Sequence, residues 1–364
     1  MNKGVFLFLI YSLNGGGAER VMSVLCNNLV KHGYEVHLGI YNRSDDDYPL
    51  RDEVKIHMLS EKKYNSKIKN IFYRIKQISN LIKEVKPNFV VPFLGTVVIE
   101  SFVASRFKKT TFISAVRNDP AQAHPKKLEK YLFLLVNCLS TAIFVQNNMQ
   151  KEYYPRIVQK KVFAVFNPVS EHFVENSHSD IEKIVNIATS GRLDGQKNHK
   201  MLIDAMEIVA ERHSEVKLTI YGAGKLREEL DGYIIEKKLE DNVKMFGRTN
   251  DMMGELQKKD LFVMSSDYEG MPNALLEAMA LGMPCISTDC RTGPSEMIEN
   301  YKSGILVPIK DAEKMAEAIC YMVEHPNEAN EMGKNARKFA LENCTVDVIT
   351  EKFVCECEKF RKNI

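Results

Sequence analysis

The chain has 364 residues, 27% charged and 45% hydrophobic, with 50 Lys and Arg against 48 Asp and Glu. This length suggests two domains, each able to bury its own core, and the composition excludes a disordered, collagenous or disulfide-dense protein. The near-zero balance hides an asymmetry: residues 1–165 carry 25 cations against 13 acids and residues 166–364 carry 25 against 35, so the two halves are expected to meet different partners.

In chain order, Val5 to Leu13 is a continuous apolar run, the pattern of a buried parallel strand. A glycine-rich turn, Asn14-Gly15-Gly16-Gly17, leads into apolar residues at helical spacing (Ala18, Val21, Met22, Leu25, Cys26, Leu29, Val30) before Gly33, a natural helix terminator. Further strands are predicted at Glu35–Tyr41, Asn88–Leu94, Thr111–Val116, Ala142–Gln146 and Val162–Phe166. The polar stretch Glu171–Asp180 reads as a linker. Beyond it, strands are predicted at Ile184–Thr189, Lys217–Tyr221, Val243–Phe246, Asp260–Met264 and Pro284–Thr288, helices at Lys197–Arg212 and Lys225–Lys238, and a helical tail over Val346–Arg361. Alternating strand and helix is the signature of α/β, doubly wound domains, here residues 1–168 and 169–345. Ligands of such folds bind beyond the carboxyl ends of the strands, so polar motifs just after strands are the places to search.

The eight cysteines include no Cys-x-x-Cys pair and no zinc spacing with histidine, and read as buried thiols. The first residues lack the order of an export signal, and the longest nearly apolar stretch, Tyr131–Val145, is too short to span a bilayer. A cytoplasmic location is expected. Asp45-Asp46-Asp47 superficially imitates an acidic metal site, but its polar surroundings read as a solvated loop, and no metal site is assigned.

Two motifs carry chemistry. Ser190-Gly191-Arg192-Leu193-Asp194-Gly195-Gln196-Lys197-Asn198-His199 follows a strand and opens a helix. There Arg192 and Lys197, with the free N–H groups of the helix start, could neutralise a diphosphate. The competing reading is a solvated loop. Asp267-Tyr268-Glu269-Gly270-Met271-Pro272-Asn273-Ala274-Leu275-Leu276-Glu277 is a second strand-to-helix turn. Its two glutamates can reach one mouth, and a carboxylate can accept hydrogen bonds from both hydroxyls of a vicinal diol. For Glu277 the competing reading is a surface helix position.

With Gly282-Met283-Pro284 and Gly293-Pro294-Ser295-Glu296, these residues resemble the retaining glycosyltransferases of family 4 with the GT-B fold, and Asn14-Gly15-Gly16-Gly17-Ala18-Glu19-Arg20 looks like their glycine loop. The resemblance covers nearly the whole chain. It implies two Rossmann-like domains facing across a cleft, the acceptor side in residues 1–168 and the nucleotide sugar in 169–345, with the C-terminal helix (about 346–364) packing back on the first domain. It further implies that Arg192 and Lys197 bind the donor diphosphate, that Glu269 contacts the transferred sugar and that Glu277 holds the ribose hydroxyls. The backbone of Met271, Pro272, Asn273 and Ala274 would line the sugar and diphosphate, Gly247 and Arg248 would meet the base, and Gly16 and Gly17 would close under the phosphates. No metal is implied, because the cations take its place. The expected reaction moves a hexose or N-acetylhexosamine from a nucleotide sugar, most often UDP-linked in this family, to a glycan hydroxyl in cell-surface polysaccharide or glycan assembly. One departure is plain. Where many relatives carry a histidine, this chain reads Ser114-Ala115-Val116-Arg117-Asn118-Asp119, so Arg117, Asn118 or Asp119 is expected to serve the acceptor side; His124 lies too far along to substitute.

Lys62–Lys86 holds eight cations and one acid, with Ile68, Ile71, Phe72, Ile75, Ile78 and Ile82 at helical spacing. Such a basic amphipathic helix suits an anionic membrane surface and an acceptor linked to polyprenyl diphosphate, placing the enzyme at the inner face of the membrane; the alternative is an ordinary sheet-covering helix. Nucleic acid is not an expected partner, since no recognition motif accompanies the charge. Two rival functions remain: a sugar-nucleotide epimerase of the same fold, which would need no acceptor, and a non-enzymatic two-lobed sugar-binding protein, which would normally be exported. The glycine turn lacks the Gly-x-Gly-x-x-Gly spacing of a nicotinamide-dependent dehydrogenase.

Overall fold

The computed structural model describes residues 3–121 and 127–361. The chain divides into two compact units, residues 1–168 with 346–364, and residues 169–345.

The first unit runs β1 (Val5–Ile10), α1 (Gly17–Lys31), β2 (Glu35–Ile40), β3 (Lys55–Met58), α2 (Lys67–Val85), β4 (Phe89–Pro92), α3 (Gly95–Ser105), β5 (Thr111–Ala115), α4 (Lys127–Leu139), β6 (Ala142–Val145), α5 (Asn148–Glu152), α6 (Arg156–Gln159) and β7 (Val162–Ala164). The second runs α7 (Glu171–Val174), β8 (Asn186–Ser190), α8 (His199–Arg212), β9 (Lys217–Tyr221), α9 (Arg227–Glu236), β10 (Val243–Gly247), α10 (Met252–Leu256), β11 (Leu261–Met264), α11 (Asn273–Leu281), β12 (Cys285–Thr288), α12 (Pro294–Met297), β13 (Ile305–Val307), α13 (Ala312–Glu324) and α14 (Pro326–Asn343). The last helix, α15 (Val346–Lys359), returns to the first unit.

Among the described residues the strands of each unit pair in parallel, in the order β3-β2-β1-β4-β5-β6-β7 in the first and β10-β9-β8-β11-β12-β13 in the second. Both units are therefore doubly wound, and in each the strand order reverses once: between β1 and β4, and between β8 and β11. The apolar runs that mark the central strands are buried on both faces, as β1 (Phe6 to Ile10) shows. Helix α1 stops where predicted: Gly33 adopts φ 82°, its N–H donates to Val30 O at 2.9 Å, and the Tyr34 N–H donates to Leu29 O at 3.1 Å.

Three readings of the sequence change. Residues 171–180 are no free linker. They open with α7, the His178 ring bonds Lys259 O at 2.6 Å, and Arg337 donates to Val174 O at 2.9 Å and Asn176 O at 2.6 Å. Strand β3 escapes an apolar search because it is a short edge strand whose Ile56 and Met58 are exposed. The predicted strand Asn88–Leu94 stops at Pro92 because Leu94 turns to φ 65° and Gly95 begins α3.

Helix α15 packs against α1 through Asn28, whose amide donates to Asp347 Oδ1 and Thr350 Oγ1, both at 3.0 Å. Its Phe353 is fully buried among Phe6, Phe8, Phe144 and Phe163, with ring centroids 5.1–6.4 Å away. Phe353→Ala removes the centre of that cluster and should destabilise the first unit by about 3–5 kcal/mol. Urea unfolding followed by circular dichroism checks this, and an unchanged midpoint would mean that α15 does not complete this core.

Candidate active site

The site grows from the two strands on either side of the reversal in the second unit. β8 and β11 are neighbours in the sheet, yet the loops after them lead to α8 and α11, so the two loops meet at the carboxyl edge. Backbone approaches that exclude a side chain hold them. Gly222 adopts φ 145°, and a Cβ there would lie 1.8 Å from Gly191 O; Gly293 adopts φ 102°, with its Cβ position 2.7 Å from Gly270 O.

Across this edge Lys197 Nζ meets Glu269 Oε1 at 2.6 Å, and the two side chains are only 15% and 8% exposed. Ser266 Oγ donates to the same carboxylate oxygen at 2.7 Å, and Gln196 Nε2 to the other, Oε2, at 3.4 Å. The backbone around the carboxylate is fixed as well. Thr292 Oγ1 donates to Glu269 O at 2.5 Å, Asp267 N donates to Gln196 O at 2.8 Å, and Asn198 Nδ2 donates to Asp267 Oδ1 at 2.8 Å.

Arg192 and Lys197 are not both at a helix start. α8 begins at His199 behind its N-cap Asn198. Lys197 precedes the cap with its ammonium turned to Glu269, while Arg192 lies six residues before the cap with its side chain 67% exposed, beside Asp194 Oδ2 at 3.4 Å and Gln196 Oε1 at 3.2 Å. Glu277 is not the surface position of the competing reading: it is 6% exposed in the second turn of α11. Pro272 is the N-cap of that helix, Met271 is buried, and Asn273 and Ala274 are half-buried. At the end of β10, Gly247 adopts φ 100° and accepts a hydrogen bond from Gly222 N at 2.8 Å, and Arg248 is exposed next to it. Arg192, Lys197, Glu269, Glu277 and the turn from Met271 to Ala274 thus belong to the loops and helix starts of the β8 and β11 edge. Sequence reasoning missed Gln196, Ser266, Thr292 and His199. The first and last were inside the quoted motif, but their partners were not visible in it.

The first unit treats its candidates differently. Gly15 adopts φ 76°, Gly16 is the N-cap of α1 and Gly17 its first residue. A Cβ on Gly16 would lie 2.1 Å from Glu19 Oε2, so this glycine makes room for Glu19 to fold back over the helix start. Arg117 is half-buried, with its guanidinium turned inward. Its guanidinium lies 4.9 Å from the Phe93 ring and 5.0 Å from the Phe144 ring, and Nη2 donates to Asn167 Oδ1 at 2.5 Å. Burial pushes its pKa down to about 9. Asp119 is buried, and the Asn118 carbonyl accepts from Gln150 Nε2 at 3.2 Å. Two aromatic walls surround the guanidinium, and among the described residues no ion pair to a carboxylate is formed. His124 lies outside the described residues. Asp47, in the acidic triplet, has a buried side chain that pairs with Arg43 at 2.5 Å, while Asp45 and Asp46 are exposed. Among the described residues no group of three His, Cys, Asp or Glu could hold a metal ion. Cys26, Cys285, Cys290 and Cys357 are buried thiols, and burial pushes Cys290 up to about 12.

Two family profiles match the chain: "Glycosyl transferases group 1" over residues 170–339 and "Glycosyl transferase 4-like" over residues 11–147. A Campylobacter jejuni N-acetylgalactosaminyltransferase, named for a GalNAc-GalNAc-diNAcBac substrate on diphospho-undecaprenol, is 29% identical over 337 residues, 91% of this chain and 92% of its own. An uncharacterized glycosyltransferase of Methanocaldococcus jannaschii is 30% identical over 275 residues, 68% of this chain and 67% of its own. Among solved structures, Anabaena HepE with UDP and glucose superposes with a TM-score of 0.83 at 15% identity, over 97% of this chain and 99% of that one.

The site also predicts acid sensitivity. His199 is buried, and burial with the nearby Lys197 charge pushes its pKa down to about 4 from the usual value of about 6.5. The unfolded chain therefore binds the extra proton between those values. Stability falls as pH drops from about 6.5 toward 4, by up to about 3 kcal/mol, and is fully present above pH 7. Denaturation midpoints at pH 7 and pH 4.5 check this: His199→Gln should lose that share of the acid sensitivity.

Proposed function

Because this chain belongs to the family 4 glycosyltransferases of GT-B fold, we propose that it moves a hexose or N-acetylhexosamine from a nucleotide sugar, UDP-linked, to a glycan hydroxyl with retention of anomeric configuration. The observation that carries this reading is the buried Lys197–Glu269 pair with Arg192 beside it, at the strand-order reversal of the second unit. A departing nucleoside diphosphate develops negative charge, and a cation beside it is worth most where water is scarce, as at Lys197. Lys197 and Arg192 take the diphosphate, and no divalent ion is called for. Glu269 accepts hydrogen bonds from the sugar, Glu277 from the ribose diol, and the backbone of Met271 to Ala274 lines the sugar and diphosphate. Gly247 and Arg248 border the base. In the step itself the bond from C1 to the phosphate oxygen breaks on the face where the acceptor oxygen bonds to C1. The acceptor's proton passes to the leaving phosphate oxygen.

The acceptor falls to the first unit, whose Gly16–Gly17 turn opens α1. The Campylobacter relative's named substrate is a diphospho-undecaprenol glycan, which supports a lipid-linked acceptor here and a role in surface-glycan assembly. The helix layer of α2, α3 and α4 supports it too. Ile68 and Phe72 of α2 are 67% and 68% exposed and Ile71 is exposed among Lys67, Lys69 and Lys76, whereas Arg74 is committed to buried Glu100 at 2.5 Å. Phe107, Tyr131, Leu132, Leu135 and Leu139 are exposed as well. Apolar side chains among cations suit the surface of an anionic bilayer. No helix among the described residues is long and apolar enough to cross a membrane.

A panel of nucleotide sugars, with and without diphospho-polyprenol glycan, tests the reaction. Nucleoside diphosphate release should require the acceptor and persist in EDTA. Lys197→Ala should lower kcat by about 10²–10³-fold, while Glu277→Ala should mainly raise the donor KM. Wild-type kinetics in both variants would overturn the site.

Sedimentation with anionic liposomes at low salt tests the surface. The wild type should pellet and the double variant Ile68→Asp, Phe72→Asp should remain largely in the supernatant; equal recovery of the wild type with neutral and anionic vesicles would defeat the electrostatic part of the reading.

A further inference from the structure

Every polar group of Gln196 has a hydrogen-bond partner. Its backbone N–H donates to Asp194 Oδ1 at 3.1 Å, and its carbonyl accepts from Asp267 N at 2.8 Å. Its side-chain Nε2 donates to Tyr268 O at 2.9 Å and to Glu269 Oε2 at 3.4 Å, while Oε1 accepts from Arg192 Nη2 at 3.2 Å. One half-buried amide therefore ties the loop after β8 to the loop after β11, and an exposed guanidinium to a buried carboxylate. A primary amide can do both, because it carries a donor and an acceptor on one planar group, whereas an ionised carboxylate can only accept.

The division of labour on Glu269 gives this arrangement its meaning. Oε1 is held by Lys197 and Ser266, and Oε2 by Gln196. A donor diphosphate that draws Lys197 toward itself removes one bond from Oε1. Ser266 and Gln196 then remain, one on each oxygen, which fixes the rotation of the carboxylate and leaves lone pairs for sugar hydroxyls. The same amide oxygen restrains Arg192, whose ion-pair partner within 4.0 Å among the described residues is Asp194.

We propose that Gln196 is the positioning residue of the donor site, aligning Glu269 for the sugar and Arg192 for the diphosphate through the two ends of one amide. The inference rests on the reading of the site given above. Gln196 touches neither reacting atom on this account; it acts through its two neighbours.

The test compares wild type, Gln196→Ala, Gln196→Glu and Lys197→Ala. Turnover is measured on whichever of UDP-glucose, UDP-galactose, UDP-N-acetylglucosamine and UDP-N-acetylgalactosamine the enzyme uses, and binding on UDP by calorimetry. Gln196→Ala loses both ends of the tether, so kcat should fall and donor KM rise, each by about tenfold, as for one lost charge-assisted hydrogen bond. Gln196→Glu keeps an acceptor for Arg192 but faces Glu269 with a second carboxylate. UDP affinity should stay within about twofold of wild type while kcat falls by about tenfold at pH 8. Activity should then recover relative to wild type as pH is lowered toward 5, where the introduced carboxyl takes up a proton and can donate again. A merely structural role would not move the pH profile. Wild-type kcat and KM in Gln196→Ala, or a wild-type pH profile in Gln196→Glu, would overturn the proposal, and the second readout stands even if Gln196→Ala fails to fold. Lys197→Ala separates the two levels. If it stays active, the reading of the site fails; if it is inactive while Gln196→Ala behaves as wild type, only the role of Gln196 fails.

Discussion

The contact between Lys197 and Glu269 organises the second unit's carboxyl edge. Two opposite charges 2.6 Å apart and almost out of water pay a desolvation cost that their attraction roughly offsets, so the pair adds little stability over an apolar substitute. Removing one partner is another matter, since the remaining charge would be stranded, at a cost of about 3–5 kcal/mol. On the proposed reading, Glu269 keeps the Lys197 charge neutralised until the donor arrives. A diphosphate suits the exchange. It offers Lys197 a new anionic partner, and Glu269 keeps Ser266 and Gln196, so neither charge is left alone.

The topology explains why the pair can form where it does. Lys197 and Glu269 are 72 residues apart, but the sheet order sets β8 beside β11. Successive loops at this reversal leave toward opposite faces and open a crevice at the carboxyl edge. The glycines at 222 and 293 then let the backbone of neighbouring loops close in where a side chain would collide. Sheet order supplies the opening, and these close approaches set its width.

Much of this was legible in the sequence for a physical reason. Buried parallel strands are continuous apolar runs, and β1 and β11 stand out on that ground alone. The residues just after β8 and β11 were legible because polar groups at a strand's carboxyl end have few structural reasons to be there. Strand β3 was hidden because it is an edge strand of four residues, too short for its alternation to stand out, with Ile56 and Met58 exposed and no apolar run. Residues 171–180 looked like a linker because their anchors, Lys259 and Arg337, are 81 and 163 positions from the residues they bond. Gln196 was hidden in the same way. Its neighbours in the motif were visible, but its bonds to Tyr268 and Glu269 cross 72 and 73 positions, and local pattern holds no record of such pairs.

Arg117 shows where the positional rule fails. It follows β5, as Arg192 follows β8, and the sequence gives the two no distinguishing mark. Arg192 leaves its strand toward solvent with Asp194 and Gln196 for company. Arg117 leaves β5 between two phenylalanine rings and reaches Asn167 Oδ1, which Gln146 Nε2 also approaches, at 3.1 Å. A guanidinium tolerates that environment better than an ammonium would, because its charge is spread over a plane that can lie against aromatic faces. The result is a cation spent on structure. Arg117 and Gln146 both donate to Asn167 Oδ1, at the residue before Pro168. The loop at Gly15–Gly17, at the reversal between β1 and β4, occupies in its own unit the position that Arg192 and Lys197 occupy in theirs.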